Sequence, residues 1–144
     1  MVTERGSDRW SPLLALQRAT HATLHALEAE LSGLGLSASE INALANLADG
    51  RGRTVSALAA AIGIRPTTLT SVLDRLERRG LLTRAAHPDD RRAVLVRLTP
   101  SGRRSAARVR RAVSGLERRA LDGLSPEAVA GLRAGLDALG EAAR

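Results

Sequence analysis

Between Pro66 and Thr99 the spacing of apolar residues changes from helical to extended, and one glycine, Gly80, stands between the two patterns. In "PTTLTSVLDRLERRG" the residues Leu69, Val72, Leu73 and Leu76 share one helical face. Pro66 occupies a first-turn position that tolerates proline, and Gly80 supplies a C-terminal stop. Two strand candidates follow, "LLTRA" (Leu81–Ala85) and "AVLVRLT" (Ala93–Thr99). In the second, Val94, Val96 and Leu98 alternate with Leu95, Arg97 and Thr99, the period of a half-buried strand. The intervening "AHPDDRR" is then the tip of a β-hairpin. A helix that stops on glycine and runs directly into a hairpin leaves few folds open.

The preceding segments narrow the choice. "SALAAAIG" is a short helix opened by Ser56 and closed by Gly63, and with the helix from Pro66 it makes a helix-turn-helix pattern. Ser37 with Glu40 gives a capping box for "SASEINALANLAD", whose buried stripe is Ile41, Leu44 and Leu47, and "GRGR" (Gly50–Arg53) reads as a loop. Helix, turn, helix and hairpin together are a winged helix. Outside it, Ser11-Pro12 starts a long helix running to about residue 34, with Leu13, Leu16, Thr20, Leu24, Leu27 and Leu31 at helical spacing. Thr99-Pro100 starts another that runs to about Leu121, and Ser125-Pro126 a last one carrying Val129, Leu132, Leu136 and Leu139. The expected fold is mostly α, an α+β winged helix of six helices with a two-stranded wing. Residues 37–99 form the winged lobe, and residues 1–36 and 100–144 a helical dimerisation region, because these helices have no core to join except each other or a second subunit.

Composition sets the limits. With no Phe, no Tyr and one Trp, the core of this 144-residue chain must be built from Leu, Val, Ile and Ala. Absence of Cys removes disulfides and thiolate chemistry. No apolar run approaches the ~18 residues of a membrane span, and "MVTERGSDRW" lacks the apolar centre of a signal peptide. A cytoplasmic protein without membrane contact or cofactor is expected. No P-loop or G-x-S-x-G elbow is present, and the carboxylates are scattered, so catalysis is not expected.

The net charge of +7 is unevenly spread: residues 1–50 balance to −3, residues 51–104 to +8 and residues 105–144 to +2. A basic segment between near-neutral flanks suits a polyanion partner. On the helix from Pro66, the face opposite the leucines is centred on Thr67, Ser71, Asp74 and Arg78, flanked by Thr68, Thr70 and Arg75. Small hydroxyls at the N-terminal end can approach base edges in a major groove, and the arginines can reach phosphate or guanine.

In the unbroken run from Thr54 to Gly102, and most of all in "VLDRLERRGL" and "DDRRAVLVRLTPSG", the sequence resembles the MarR family of bacterial winged-helix transcriptional regulators. The resemblance extends over nearly the whole chain. It implies an obligate homodimer on a pseudo-palindromic double-stranded DNA operator, commonly a repressor released by a small molecule. The family's Asp-x-Arg wing motif falls on Asp90 and Arg92, with the arginine entering the minor groove and the acid holding it. Arg91 is assigned to phosphate, and Thr67, Thr68, Thr70, Ser71 and Arg75 match the recognition helix. Arg65 ahead of that helix and Arg84 on the first wing strand complete the expected DNA-binding set. Two residues depart from the family pattern. Ser71 stands where many relatives carry Arg, and His87 replaces an acid at the start of the wing motif.

The resemblance also implies a pocket for phenolic or other aromatic anions where the dimer helices meet the winged lobe. Trp10, Leu14, Gln17, His21, His25 and Glu28 share a flank of the first helix if it extends back through Trp10, and Asn42 and Asn46 can face it. The expected ligand set is Trp10 for stacking on a ring, Arg18, His21 and His25 for an anion, and Asn42 and Asn46. The alternative is that these side chains fill the dimer interface. His21, His25 and Glu28 also have the i, i+4, i+7 spacing of a metal site, but no fourth ligand is evident and no metal is expected. A rival to the DNA reading is a winged-helix module whose basic surface meets an acidic protein.

Overall fold

The structure, a computed structural model, describes residues 10–144. The first nine residues of the expected dimerisation region lie outside the described residues. Six helices and three short strands follow in the order α1 (Pro12–Glu30), a 3-10 turn (Ser32–Leu34), α2 (Ala38–Leu47), β1 (Arg53–Thr54), α3 (Val55–Ile62), α4 (Pro66–Arg78), β2 (Leu82–His87), β3 (Asp90–Leu98), α5 (Pro100–Leu121) and α6 (Pro126–Ala142). The sheet is antiparallel in the order β1-β3-β2. Among the described residues no single helix is long and apolar enough to cross a membrane.

Most helix starts are fixed by a hydroxyl that accepts a first-turn N–H. Ser11, Ser37, Thr54, Thr99 and Ser125 accept from Leu14, Glu40, Ala57, Gly102 and Ala128. Two expectations change here. Thr54, not Ser56, opens α3, and "GRGR" is not wholly a loop: Arg53 and Thr54 pair with Val96 and Leu95 of β3. The wing hairpin thus belongs to a three-stranded sheet in which β3 is the central strand. The first helix also stops at Glu30 and tightens into the 3-10 turn, where Gly35 takes a left-handed conformation.

Gly80 joins α4 to the wing. Its φ of +71° closes a Schellman turn, in which Leu81 N–H donates to Leu76 O and Gly80 N–H to Glu77 O. The last turn of the connection is tighter still. Thr99 N–H donates to Leu81 O and its hydroxyl to Gly80 O at 2.6 Å, which presses the first turn of α5 against β2. A side chain on Gly102 would place its Cβ 1.7 Å from Leu81 O, so the glycine of "TPSG" is a packing requirement.

The core is aliphatic, as the composition requires. Ile41, Leu44, Leu47, Leu58, Leu69, Leu73, Leu76, Leu82, Val96 and Val109 are almost completely buried, gathering α2 to α5 and the sheet around one centre. Full burial of such side chains contributes roughly 1.5–3 kcal/mol each. The core thins at both ends of the chain. Only Leu27 of α1 is buried and no residue of α6 is, while Leu13, Leu14, Leu132 and Leu136 are exposed.

Candidate nucleic-acid interface

α4 is strongly two-sided. Leu69, Val72, Leu73 and Leu76 are buried, and Thr67, Thr68, Thr70 and Ser71 face solvent in its first half. The Thr70 hydroxyl donates to Pro66 O and that of Ser71 to Thr68 O, both at 3.0 Å. With each donor used inside the helix, these hydroxyls present acceptor lone pairs outward, suited to an amino group on a base edge. Arg65, exposed at the N-cap, makes no side-chain cap and no ion pair among the described residues.

The wing tip turns on Pro88 and Asp89. His87 pairs with Asp90 across the hairpin, and its Nδ1 accepts the Asp89 N–H at 3.1 Å, so this residue closes the turn. Pairing then slips, with Ala86 opposite Val94, so that Arg91, Arg92 and Ala93 have no partner on β2. Such an irregularity re-aims side chains away from the ladder. Arg92 is 97% exposed, and Asp90 Oδ1 accepts its backbone N–H at 3.0 Å. The guanidinium is 3.8 Å from the same carboxylate. Asp90 therefore positions Arg92 chiefly through the backbone and leaves the guanidinium available. Arg91 beside it is exposed.

A groove of about 550 Å³ brings these elements together. Thr70 of α4 forms one wall, Asp90, Arg92, Ala93 and Val94 of the wing another, and Thr54, Val55 and Ser56 at the start of α3 close it. The sequence reading makes Ser56 only a helix starter and gives Thr54 no role. The missed signal is the strand β1, which contains Thr54, runs directly into Ser56's helix and pairs with β3, carrying α3 to the wing.

Two of the expected contacts hold the protein to itself. Arg84 bridges Asp74 (2.5 Å) and Glu77 (2.6 Å), clasping β2 to α4 with only 24% of its side chain exposed. Hydrogen bonds to Glu77 and then Asp74 raise its already high pKa. Arg75 Nε donates to the buried Glu40 carboxylate at 2.9 Å, and Arg79 lies 3.6 Å from its other oxygen. Ser37 caps α2, but Glu40 spends its carboxylate across the core on Arg75 rather than completing the capping box.

The expected ligand set is not gathered within the described chain. α1 begins at Pro12, so Trp10 precedes it and lines an apolar groove with Leu16 and with Leu132, Leu136 and Leu139 of α6. Arg18, His21 and His25 are exposed on α1. The Asn46 amide donates to Asn42 O at 2.9 Å and borders a separate cavity beside Arg53 and Arg110. Glu28 accepts the Ala38 N–H at 2.9 Å, and no group of three potential metal ligands occurs among the described residues.

Residues 36–94, which contain α2 to the wing, match the MarR family. The match to the MarR family takes in less than half of the chain. Over 67 residues the chain is 36% identical to a protein of Thauera aromatica described as a regulator of the hcr operon, covering 46% of this chain and 40% of that protein. Over 77 residues it is 39% identical to an HTH-type transcriptional regulator of Mycobacterium tuberculosis, covering 54% of each. The chain thus spans about half the length of the curated relatives it matches. MarR-family likeness is broader in three dimensions. The crystal structure of CouR from Rhodococcus jostii RHA1 bound to p-coumaroyl-CoA superposes with a TM-score of 0.78 at 29% identity, over 88% of this chain and 89% of that one.

Proposed function

We propose that this chain is a homodimeric repressor of the MarR kind that reads a pseudo-palindromic DNA operator and is released from it by a small molecule. The observation that carries the DNA reading is the shared groove: an almost fully exposed Arg92, the hydroxyl of Thr70 and the start of α3 converge there. In this reading α4 enters the major groove and Arg92 the adjacent minor groove. Arg65 and Arg91 contact phosphate, and Thr67, Thr68, Thr70 and Ser71 face bases. Arg75 and Arg84 act by holding α4 and the wing in place. Residues 37–99 then form the DNA-binding lobe, and residues 1–36 with 100–144 the dimerisation region. The uncovered leucines of α1 and α6 support that division, since an apolar helix surface in water gains most from a second subunit. CouR's complex with p-coumaroyl-CoA supports a small-molecule effector here.

Salt titration of the purified protein on duplex DNA from beside its own gene tests the reading. Binding through Z phosphates gives a log–log slope of about −0.9Z. A flat salt response, or equal affinity for that DNA and a random duplex, would exclude operator binding.

A further inference from the structure

The first half of α4 presents acceptors, and the second half spends its donors on the protein. The exposed Thr70 and Ser71 hydroxyls each give their only proton to a backbone carbonyl, Pro66 O and Thr68 O, at 3.0 Å. A carbonyl cannot donate, so the direction of both bonds is fixed, and each oxygen offers solvent its lone pairs. The guanidinium groups further along are engaged elsewhere. Arg75 Nε donates to the buried Glu40 carboxylate at 2.9 Å, Arg78 Nε to Asp74 O at 3.3 Å, and Arg79 to Gly35 O at 2.9 Å and Leu34 O at 2.6 Å. Arg65 has no ion pair among the described residues, but it stands at the N-cap, ahead of the hydroxyl face.

We propose that α4 reads its half-site through acceptors: Thr70 takes an A·T pair, by the adenine amino group and the thymine methyl group, and the helix makes no contact to guanine N7 or O6. This names the base class for the DNA-binding reading above and rests on it. In the major groove adenine and cytosine offer an amino donor, whereas guanine offers N7 and O6, which only accept. An oxygen whose proton is already committed pairs with the first kind and is repelled by the second. To donate to guanine, the Thr70 hydroxyl must first give up its bond to Pro66 O. Threonine adds a methyl group that packs on the methyl of thymine, and a G·C pair has none. Ser71 lacks that methyl and serves as an acceptor alone.

The fold withholds the side chain best suited to guanine. A guanidinium fork fills N7 and O6 together, and it needs an arginine free to turn into the groove. Arg75 is the α4 arginine nearest the hydroxyls, one turn beyond Ser71, and its partner Glu40 is only 5% exposed. A carboxylate so deeply buried cannot release its cation without being left uncompensated. Arg78 lies about 10 Å further along the helix axis than Ser71, beyond the hydroxyl face. The committed hydroxyl protons and the anchored Arg75 are independent observations with the same consequence.

Selection from a pool of duplexes with a randomised centre, by the full chain and by its Thr70→Val variant, locates the pair under Thr70. Valine keeps the branched shape and removes the oxygen at an exposed position, so the two proteins should melt together. Where the two selections differ, the parent is expected to hold A·T. Fluorescence anisotropy on the selected duplex then reads the contacts. Replacing that adenine by purine, which lacks the amino group, weakens parent binding about fivefold, the worth of one hydrogen bond. Replacing its thymine by deoxyuridine weakens it about two- to fourfold, the worth of one methyl group. Thr70→Val is indifferent to the purine replacement, which separates a lost contact from a weakened base pair. Substituting 7-deazaguanine for every guanine leaves parent affinity unchanged. A G·C pair at that position, identical selections by parent and variant, a parent indifferent to the missing amino group, or a loss with 7-deazaguanine overturns the proposal and leaves DNA binding standing. A pool in which nothing is enriched removes the DNA-binding reading, and the base preference with it.

Discussion

Arg84 and Arg92 belong to the same hairpin and come to opposite uses. Arg84 sits on the paired part of β2, within reach of Asp74 and Glu77 on α4, and its charge is spent there. A cation with a raised pKa contributes stability at every pH below its unfolded value and loses it only as pH rises through the folded one, so this clasp is constant across physiological pH. Arg92 lies where the hairpin pairing slips, and its guanidinium stays in water. Arg92→Ala should weaken duplex binding about 10- to 100-fold, the worth of one charge-assisted contact, and change thermal stability by less than about 0.5 kcal/mol. Fluorescence anisotropy and a melting curve measure the two quantities, and undiminished affinity would remove Arg92 from the interface. Asp49 is tied to acid stability. The Arg51 N–H above all, with the charges of Arg53 and Arg51, holds its carboxyl below the ordinary 3.8. Its contribution is therefore complete above that value and is lost as pH falls through the lower, folded one. Asp49→Asn should shrink the stability difference between pH 7 and pH 3 in urea unfolding; an unchanged difference would show that the α2–β1 corner is indifferent to acid.

Among the elements, the junctions of the wing carry the tightest constraints. Gly80 turns the chain out of α4 and Gly102 lets α5 lie against Leu81, so the wing is held at both ends by positions where a side chain is strained or obstructed. Gly102→Ala puts a methyl group into a backbone carbonyl, an overlap that only movement of the α5 start can relieve. A loss of about 3 kcal/mol, or roughly 6–12 °C in melting temperature, is expected. Circular dichroism against temperature checks it, and a melting point within a degree of the parent would show that α5 moves freely. β1 matters for a different reason. Two residues long, it shows no apolar alternation, yet it fixes the start of α3 beside β3.

For the whole molecule the two terminal helices pose the main question. An apolar groove of about 740 Å³ runs between Trp10, Leu16 and the leucines of α6, open in a single chain. A second subunit covering that face would place two α4 helices and two wings on one side, reading half-sites about one helical turn apart. Leu132→Asp/Leu136→Asp should convert the dimer to monomers in sedimentation equilibrium and abolish tight binding to a two-half-site operator, with the winged lobe still folded. A dimer that survives both charges would move the interface elsewhere.

Local pattern was enough for the six helices, the wing hairpin and the exposed hydroxyl face of α4, because each depends on spacing, caps and turns within a few residues. The aliphatic core followed from composition. What the sequence left open depends on residues far apart in the chain. Arg75 meets Glu40 across thirty-five positions, and β1 is a strand only because β3 lies beside it. Trp10 was grouped with His21 and His25 by helical period, but the helix starts after it and sends it toward α6. Charge was legible as a total for the middle of the chain, not as an allocation. Tertiary contact alone decided which arginines close on carboxylates and which remain for a partner, since an ion pair is set by distance in space and not by position in the chain.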